Sequence, residues 1–128
     1  RRKGESAIEG QLFLWLARCR MGEEEQATRE LRHYLDRPHF WEDSALDVTI
    51  GGLFVGQESL AELLATFDRH GTSRAERTRL FFFAGLWREL EGSPDEARAL
   101  LGKALEGGAS AEGTWELARH ELERLEKR

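Results

Sequence analysis

Apolar residues recur every three or four positions along most of this chain, which is the spacing of one face of an α-helix. The pattern breaks at short polar or glycine-containing stretches and then resumes. It predicts seven helices joined by short loops, beginning near Ser6, Glu23, Trp41, Glu58, Ser73, Pro94 and Ser110. The third of these is the weakest, because Thr49, Ile50, Gly51 and Gly52 are poor helix formers.

Helix starts are marked by a serine followed three residues later by a glutamate, the pattern of a capping box. Ser6 with Glu9 and Ser73 with Glu76 have this spacing. In the stretch "GSPDEA", Ser93 is predicted to be the N-cap with Glu96 completing the box. Pro94 then takes the first helical position, where its missing N–H has no intrahelical partner to lose.

A glycine followed five residues later by an alanine recurs between helices. The pattern occurs at Gly22–Ala27, Gly56–Ala61 and Gly92–Ala97, and its glycines are 34 and 36 residues apart. A helix–turn–helix unit with a period near 34 is typical of tetratricopeptide repeats. The three alanines are expected at the closest contact of two helices, where a larger side chain would overpack. Chance recurrence in a chain rich in alanine and glycine is the alternative.

The fold class predicted from these patterns is all-α, as a tetratricopeptide-like α-solenoid of about three helix pairs with a C-terminal capping helix. Repeat 1 spans about 6–38, a degenerate repeat 2 about 41–70, repeat 3 about 73–107 and the capping helix about 110–127. Repeat 2 is degenerate because Thr49 and Asp68 do not fit the repeat pattern. We expect one domain.

The second part of the chain resembles a known family. Aromatic, glycine, alanine and leucine positions of the third repeat and last helix are similar to bacterial tetratricopeptide lipoproteins of the NlpI type, at Phe82, Gly85, Gly92, Ala97, Leu101, Ala104, Gly107, Ala118, Glu121, Leu122 and Leu125. The preceding segment is also similar, at Trp41, Gly56, Ala61, Glu62, Leu63 and Leu64. The resemblance implies a periplasmic or membrane-anchored scaffold that dimerises and recruits other proteins. A cytoplasmic location is the alternative.

Composition excludes several function classes. The net charge is −5 and the pI about 5.5, with acids and bases interleaved, whereas a nucleic-acid binder usually has a basic face. No run of 18 apolar residues is present, so we expect no membrane insertion by this segment. The chain begins "RRKGESA" without a methionine, which favours a fragment or a processed form.

No motif indicates catalysis, a cofactor or a metal. The four histidines lack H-E-x-x-H spacing, and "GGLFVG" lacks the lysine of a phosphate-binding loop. Cys19 has no local acid–base partner and is expected to be a buried apolar residue. The sequence therefore predicts no enzyme, no cofactor and no metal site.

The predicted function is a protein–protein interaction scaffold whose concave groove binds a peptide or helix of another protein. In repeat arrays the first helix of each pair lines that groove, which gives the candidate partner-binding residues Leu12, Leu16, Arg20, Asp47, Ile50, Phe54, Arg79, Phe82, Phe83, Leu86 and Glu89. Packing of about half of them against the next repeat is the alternative for these side chains. A homodimerising module, or an accessory domain of a larger enzyme, is the alternative function.

Overall fold

The computed structural model describes residues 7–36, 45–70, 73–106, 108 and 113–127. These residues form seven α-helices and no strand, so the all-α prediction is confirmed. The helices are α1 (Ala7–Arg20), α2 (Glu24–Asp36), α3 (Ala45–Phe54), α4 (Leu60–His70), α5 (Arg74–Leu90), α6 (Pro94–Leu105) and α7 (Thr114–Glu126). The predicted helix starts at Ser6, Trp41 and Ser110 lie outside the described residues.

The chain divides into two compact units, residues 1–66 and 67–128. In the first unit α1, α2 and α3 each pack against the other two. The Trp15 ring stacks on Phe54 with centroids 4.4 Å apart, and Trp15 Nε1 donates a hydrogen bond to Thr28 Oγ1 at 3.1 Å. This tryptophan therefore joins all three helices, and its indole N–H is satisfied although the side chain is buried.

The glycines that weakened the prediction of α3 permit close packing. A Cβ built on Gly51 would lie 3.1 Å from Leu35 Cδ2 and 3.6 Å from Leu12 Cδ2. Gly51 is buried within a continuous helix. The helix tolerates its low propensity here because α1 and α2 approach this side of its backbone.

The second unit is organised around α5, which packs against α6 and α7. A Cβ on Gly85 would lie 2.8 Å from Leu101 Cγ, so the absence of a side chain lets α6 come close. Trp115 Nε1 donates to the Leu105 carbonyl at 3.1 Å and ties α7 to the end of α6. Arg124 of α7 bonds Glu89 of α5 at 2.6 Å.

The three glycines of the repeat pattern adopt the same turn. Gly22, Gly56 and Gly92 have φ values of 84°, 86° and 89°, in the left-handed region that favours glycine. In each turn the glycine N–H donates to the carbonyl three residues earlier, and the following N–H donates to the carbonyl five residues earlier, over 2.8–3.3 Å. This is the Schellman arrangement at a helix C-terminus. The three glycines therefore share a backbone conformation as well as a regular spacing in the sequence.

The alanines of the pattern do not all follow it. Ala27 and Ala97 are buried as predicted, but Ala61 is exposed, so the predicted helix contact at Ala61 is wrong. The cause is the length of the turn: α2 and α6 begin two residues after their glycine, whereas α4 begins four residues after Gly56. Two residues rotate a helix by about 200°. Leu63, two residues further on, takes the buried position instead.

The capping predictions have mixed outcomes. Ser73 and Glu76 form the full capping box, as predicted. Ser93 is the N-cap of α6, but its side chain makes no capping bond and the predicted box with Glu96 is wrong. The Glu96 carboxylate is instead held by Arg88 Nε at 2.8 Å. At α4 the Glu62 N–H donates to Ser59 Oγ, a cap that our sequence reading missed.

Candidate functional site

Most of the predicted partner-binding residues are buried in the structure. Eight of the eleven are buried: Leu12, Leu16, Asp47, Ile50, Phe54, Phe82, Phe83 and Leu86. Their burial leaves little of these side chains for a partner to contact, and eight is more than the half that the alternative expected to pack against the next repeat. Arg20 is exposed and Arg79 is partly buried. Binding of a partner through these two positions stays a prediction.

Glu89, the remaining predicted residue, has a structural contact within the second unit. Its side chain is 12% exposed, and its Oε1 accepts from Arg124, which also bonds Glu121 at 2.7 Å. These carboxylates, Glu89 first, raise the pKa of the Arg124 guanidinium. The ion pair joins α5 to α7 and directs the Glu89 carboxylate toward its own unit.

The exposed apolar surface of α1 lies on the opposite side of the helix from the predicted residues Leu12 and Leu16. Phe13 is 38% exposed, Leu14 47% and Met21, just after the helix, 70%. Gly10 and Ala17 are also exposed, at the helical spacing that places them on the same side. We call these five residues the outer face of α1. Its small residues alternate with large ones along about three helical turns.

A polar rim borders this face on the side of α2. Arg18 Nε bonds Glu23 Oε1 at 3.0 Å, and the Arg18 guanidinium also bonds Glu30. Glu23 and then Glu30 raise the pKa of Arg18, while Arg18 and then Gln26 lower the pKa of Glu30. An apolar centre with a charged rim is the usual composition of a protein interface.

The signal for the outer face is present in the sequence. Leu12 to Leu16 are five consecutive large apolar residues, "LFLWL". Five consecutive residues cover more than one face of a helix at 100° per residue, so such a run cannot all point inward in a helix packed on one side. The sequence analysis predicted partner binding at Leu12 and Leu16, which are buried, and proposed no binding role for Phe13 or Leu14.

No catalytic constellation is built in the described ranges. Cys19 is only partly buried, whereas the sequence predicted a buried residue. This burial, and then the charge of Glu24, raise the pKa of its thiol to about 11, which leaves it protonated at neutral pH. No group of three metal-ligating side chains lies within the described residues 7–36, 45–70, 73–106, 108 and 113–127. None of the described helices has the length and apolar content needed to span a bilayer.

The outer face of α1 is the candidate binding surface that this geometry provides. It combines exposed large apolar side chains, small residues that admit close approach, and a fixed charged rim. Comparison with known proteins adds no assignment: no family model, no curated protein and no solved structure matches the chain.

Proposed function

We propose that this chain is a protein-interaction module, which holds an apolar helix of a partner protein against the outer face of α1. The observation that carries the proposal is the exposure of Phe13, Leu14 and Met21 on one side of a helix whose other side is core. Large apolar residues clustered on a surface mark interaction sites more often than singly scattered ones do. Binding rather than catalysis is the role proposed.

A tetratricopeptide-like arrangement of the helices is part of this proposal, and two features of the chain favour it. In each unit three helices pack mutually, α1 with α2 and α3, and α5 with α6 and α7. The same glycine turn recurs at a spacing near 34. Such repeat arrays present extended surfaces for other proteins. The scaffold function, and the resemblance to tetratricopeptide lipoproteins, belong to this proposal.

The dimensions of the outer face fit a helix. From Gly10 to Met21 the face covers twelve residues. The distance between its ends is roughly 16 Å at 1.5 Å per residue. Its side chains recur at the i, i+3, i+4, i+7 spacing through which amphipathic helices dock in grooves. Gly10 and Ala17 leave room between the larger residues for side chains of the partner.

A second copy of the chain is a specific candidate for that partner. If two α1 helices pack antiparallel about a twofold axis near residue 15, Leu14 faces Ala17 of the partner copy and Gly10 faces its Met21. Leu14 and Met21 then each meet a small residue, which contributes to the self-complementary surface that a twofold dimer requires. Five residues are far fewer than the 20–30 per side of a standard interface, so this self-association is expected to be weak.

The experiment compares two equally exposed leucines. Leu14 is 47% exposed within the outer face, and Leu117 is 46% exposed on α7. A photo-crosslinking residue is placed at either position in the purified chain and in cell extract. We expect adducts from position 14, either with a second copy or with a protein identified by mass spectrometry and rebound in purified form.

A charge at the same positions supplies the quantitative control. Leu14→Glu is expected to weaken the rebound complex, or the dimer seen by sedimentation, by about tenfold or more, because it places a charge at the centre of an apolar contact. Leu117→Glu is expected to have no effect on binding. Equal crosslinking from both positions, or equal binding by both variants, would contradict the proposal.

A further inference from the structure

A second surface of different chemistry lies within residues 67–128. A cleft of about 400 Å³ opens where the start of α5 meets the end of α6, and it is lined by Arg74, Arg77, Thr78, Lys103 and Glu106. Three of these five residues are cations, in a chain whose net charge is −5. The cleft is therefore a local exception to the charge of the whole protein.

The cations of the cleft are poorly neutralised. Arg77 lies 3.8 Å from Asp68, but both side chains are at least half exposed, so water screens the pair. Lys103 Nζ and Arg77 Cζ both lie over the Phe81 ring, at 5.7 Å and 5.3 Å from its centroid. Arg74 has no ion pair within the described part of the chain. The Phe81 ring therefore holds the Arg77 and Lys103 side chains near each other but does not neutralise their charges.

Thr78 adds a buried hydroxyl group to the cleft. Its side chain is only 2% exposed, and it lines the same cleft. Within the described residues its hydroxyl forms no hydrogen bond. A buried hydroxyl without a partner is costly, and native structures seldom retain one that has no use. A ligand in the cleft would supply the acceptor.

The position of the arginines is also unfavourable for the helix alone. Arg74 and Arg77 occupy the first and fourth positions of α5, near the positive end of the helix dipole, where acids are preferred. The nearby acid Glu76 is used by the Ser73 capping box. Residues that contradict a local stability rule are expected at functional sites. An anion in the cleft would turn this repulsion into attraction.

From these observations we infer that the cleft binds a phosphate-type oxyanion. Arg74, Arg77 and Lys103 supply the charge, Thr78 Oγ1 donates the buried hydrogen bond, and the N-terminus of α5 adds its partial positive charge. Arginine is suited to this role because its guanidinium matches phosphate oxygens in pairs. The inference does not depend on the outer face of α1, which belongs to the other unit.

The test is a titration of the whole chain at constant ionic strength. Binding is measured by calorimetry and by the NMR shifts of the Thr78 and Arg74 amides. The probes are inorganic phosphate, a phosphoserine peptide and the same peptide with glutamate at that position. Binding of phosphate or of the phosphopeptide is expected. Tighter binding of inorganic phosphate would identify a free phosphate as the ligand, and tighter binding of the peptide would identify a phosphorylated protein. No shift with either, or equal binding of the glutamate peptide, would overturn the inference.

Two variants separate binding from folding. Arg74→Gln with Lys103→Gln is expected to weaken phosphate binding by roughly tenfold or more, since each removes a charge-assisted contact. The matched control combines Arg119→Gln within α7 and Lys127→Gln just after it. It changes the net charge by the same amount as the first pair and is expected to bind phosphate as tightly as the parent chain. Identical weakening in both pairs would mean that only overall charge matters, and the site would be refuted.

Thr78→Val is the sharper variant, because the two explanations predict opposite signs. If the hydroxyl awaits a ligand, valine leaves the unliganded chain equally stable or more stable, and it weakens phosphate binding severalfold. If the hydroxyl has a structural role, valine lowers the melting temperature and leaves binding unchanged. The second pair of results would overturn the inference.

Discussion

At the scale of single residues, Gly85 shows how one missing side chain sets a helix contact. A Cβ added there would lie 2.8 Å from Leu101 Cγ and 3.3 Å from the Ala97 carbonyl oxygen. We expect Gly85→Ala to lower the free energy of unfolding by about 1–3 kcal/mol, the usual cost of overpacking. Urea denaturation measures this difference.

Gly102 supplies the matched control for that substitution. It lies inside α6, and a Cβ built on it would meet nothing within 4 Å. Gly102→Ala is therefore expected to raise the stability by about 0.5–1 kcal/mol, through helix propensity alone. Two changes of the same sign would show that helix propensity, and not the contact with Leu101, decides the outcome at Gly85.

Cys19 allows a prediction about pH at the same scale. Burial raises the pKa of its thiol from an ordinary value near 9 to about 11. The folded state thus holds the proton more tightly than the unfolded state, and the associated stability is present below pH 9 and is lost as the pH rises toward 11. Alkylation by iodoacetamide at pH 8 should be roughly 100-fold slower in the folded chain than in urea, for a pKa difference of two. Equal alkylation rates would contradict the partial burial of this thiol.

At the scale of elements, Ala97 and Ala61 occupy the same position of the repeat but have opposite environments. Ala97 is fully buried and Ala61 is exposed. Ala97→Leu is expected to destabilise by about 1–3 kcal/mol, whereas Ala61→Leu should stay within about 0.5 kcal/mol. Thermal unfolding of the two variants measures this. Similar losses would mean that α4 has the same phase as α2 and α6.

These elements also show how far the sequence could be interpreted. Helix positions and the glycine turns follow from local periodicity and backbone preference, which need no knowledge of tertiary contacts. The phase of α4 depends on two extra turn residues and the Ser59 cap, which the constant distance from glycine to alanine in the repeat pattern does not reveal. The candidate binding surface was harder to predict, because periodicity identifies an apolar stripe but not which side of it is covered. Leu12 and Leu14 have the same hydrophobicity, and only packing separates them.

At the scale of the molecule, the division into residues 1–66 and 67–128 predicts how instability spreads. Each unit has its own mutually packed set of three helices, so local opening is expected to follow those sets. Gly85→Ala disturbs the contact of α5 with α6. We expect hydrogen exchange to accelerate in α5, α6 and α7 by more than in α1, α2 and α3 when the variant is compared with the parent chain under native conditions. The reciprocal variant is Gly51→Ala, which disturbs the contact of α3 with Leu35 and should accelerate exchange mainly in the first set. If either substitution accelerates all six helices equally, the chain opens as one cooperative unit, and a ligand held by one set of helices would then stabilise the other set as strongly as its own.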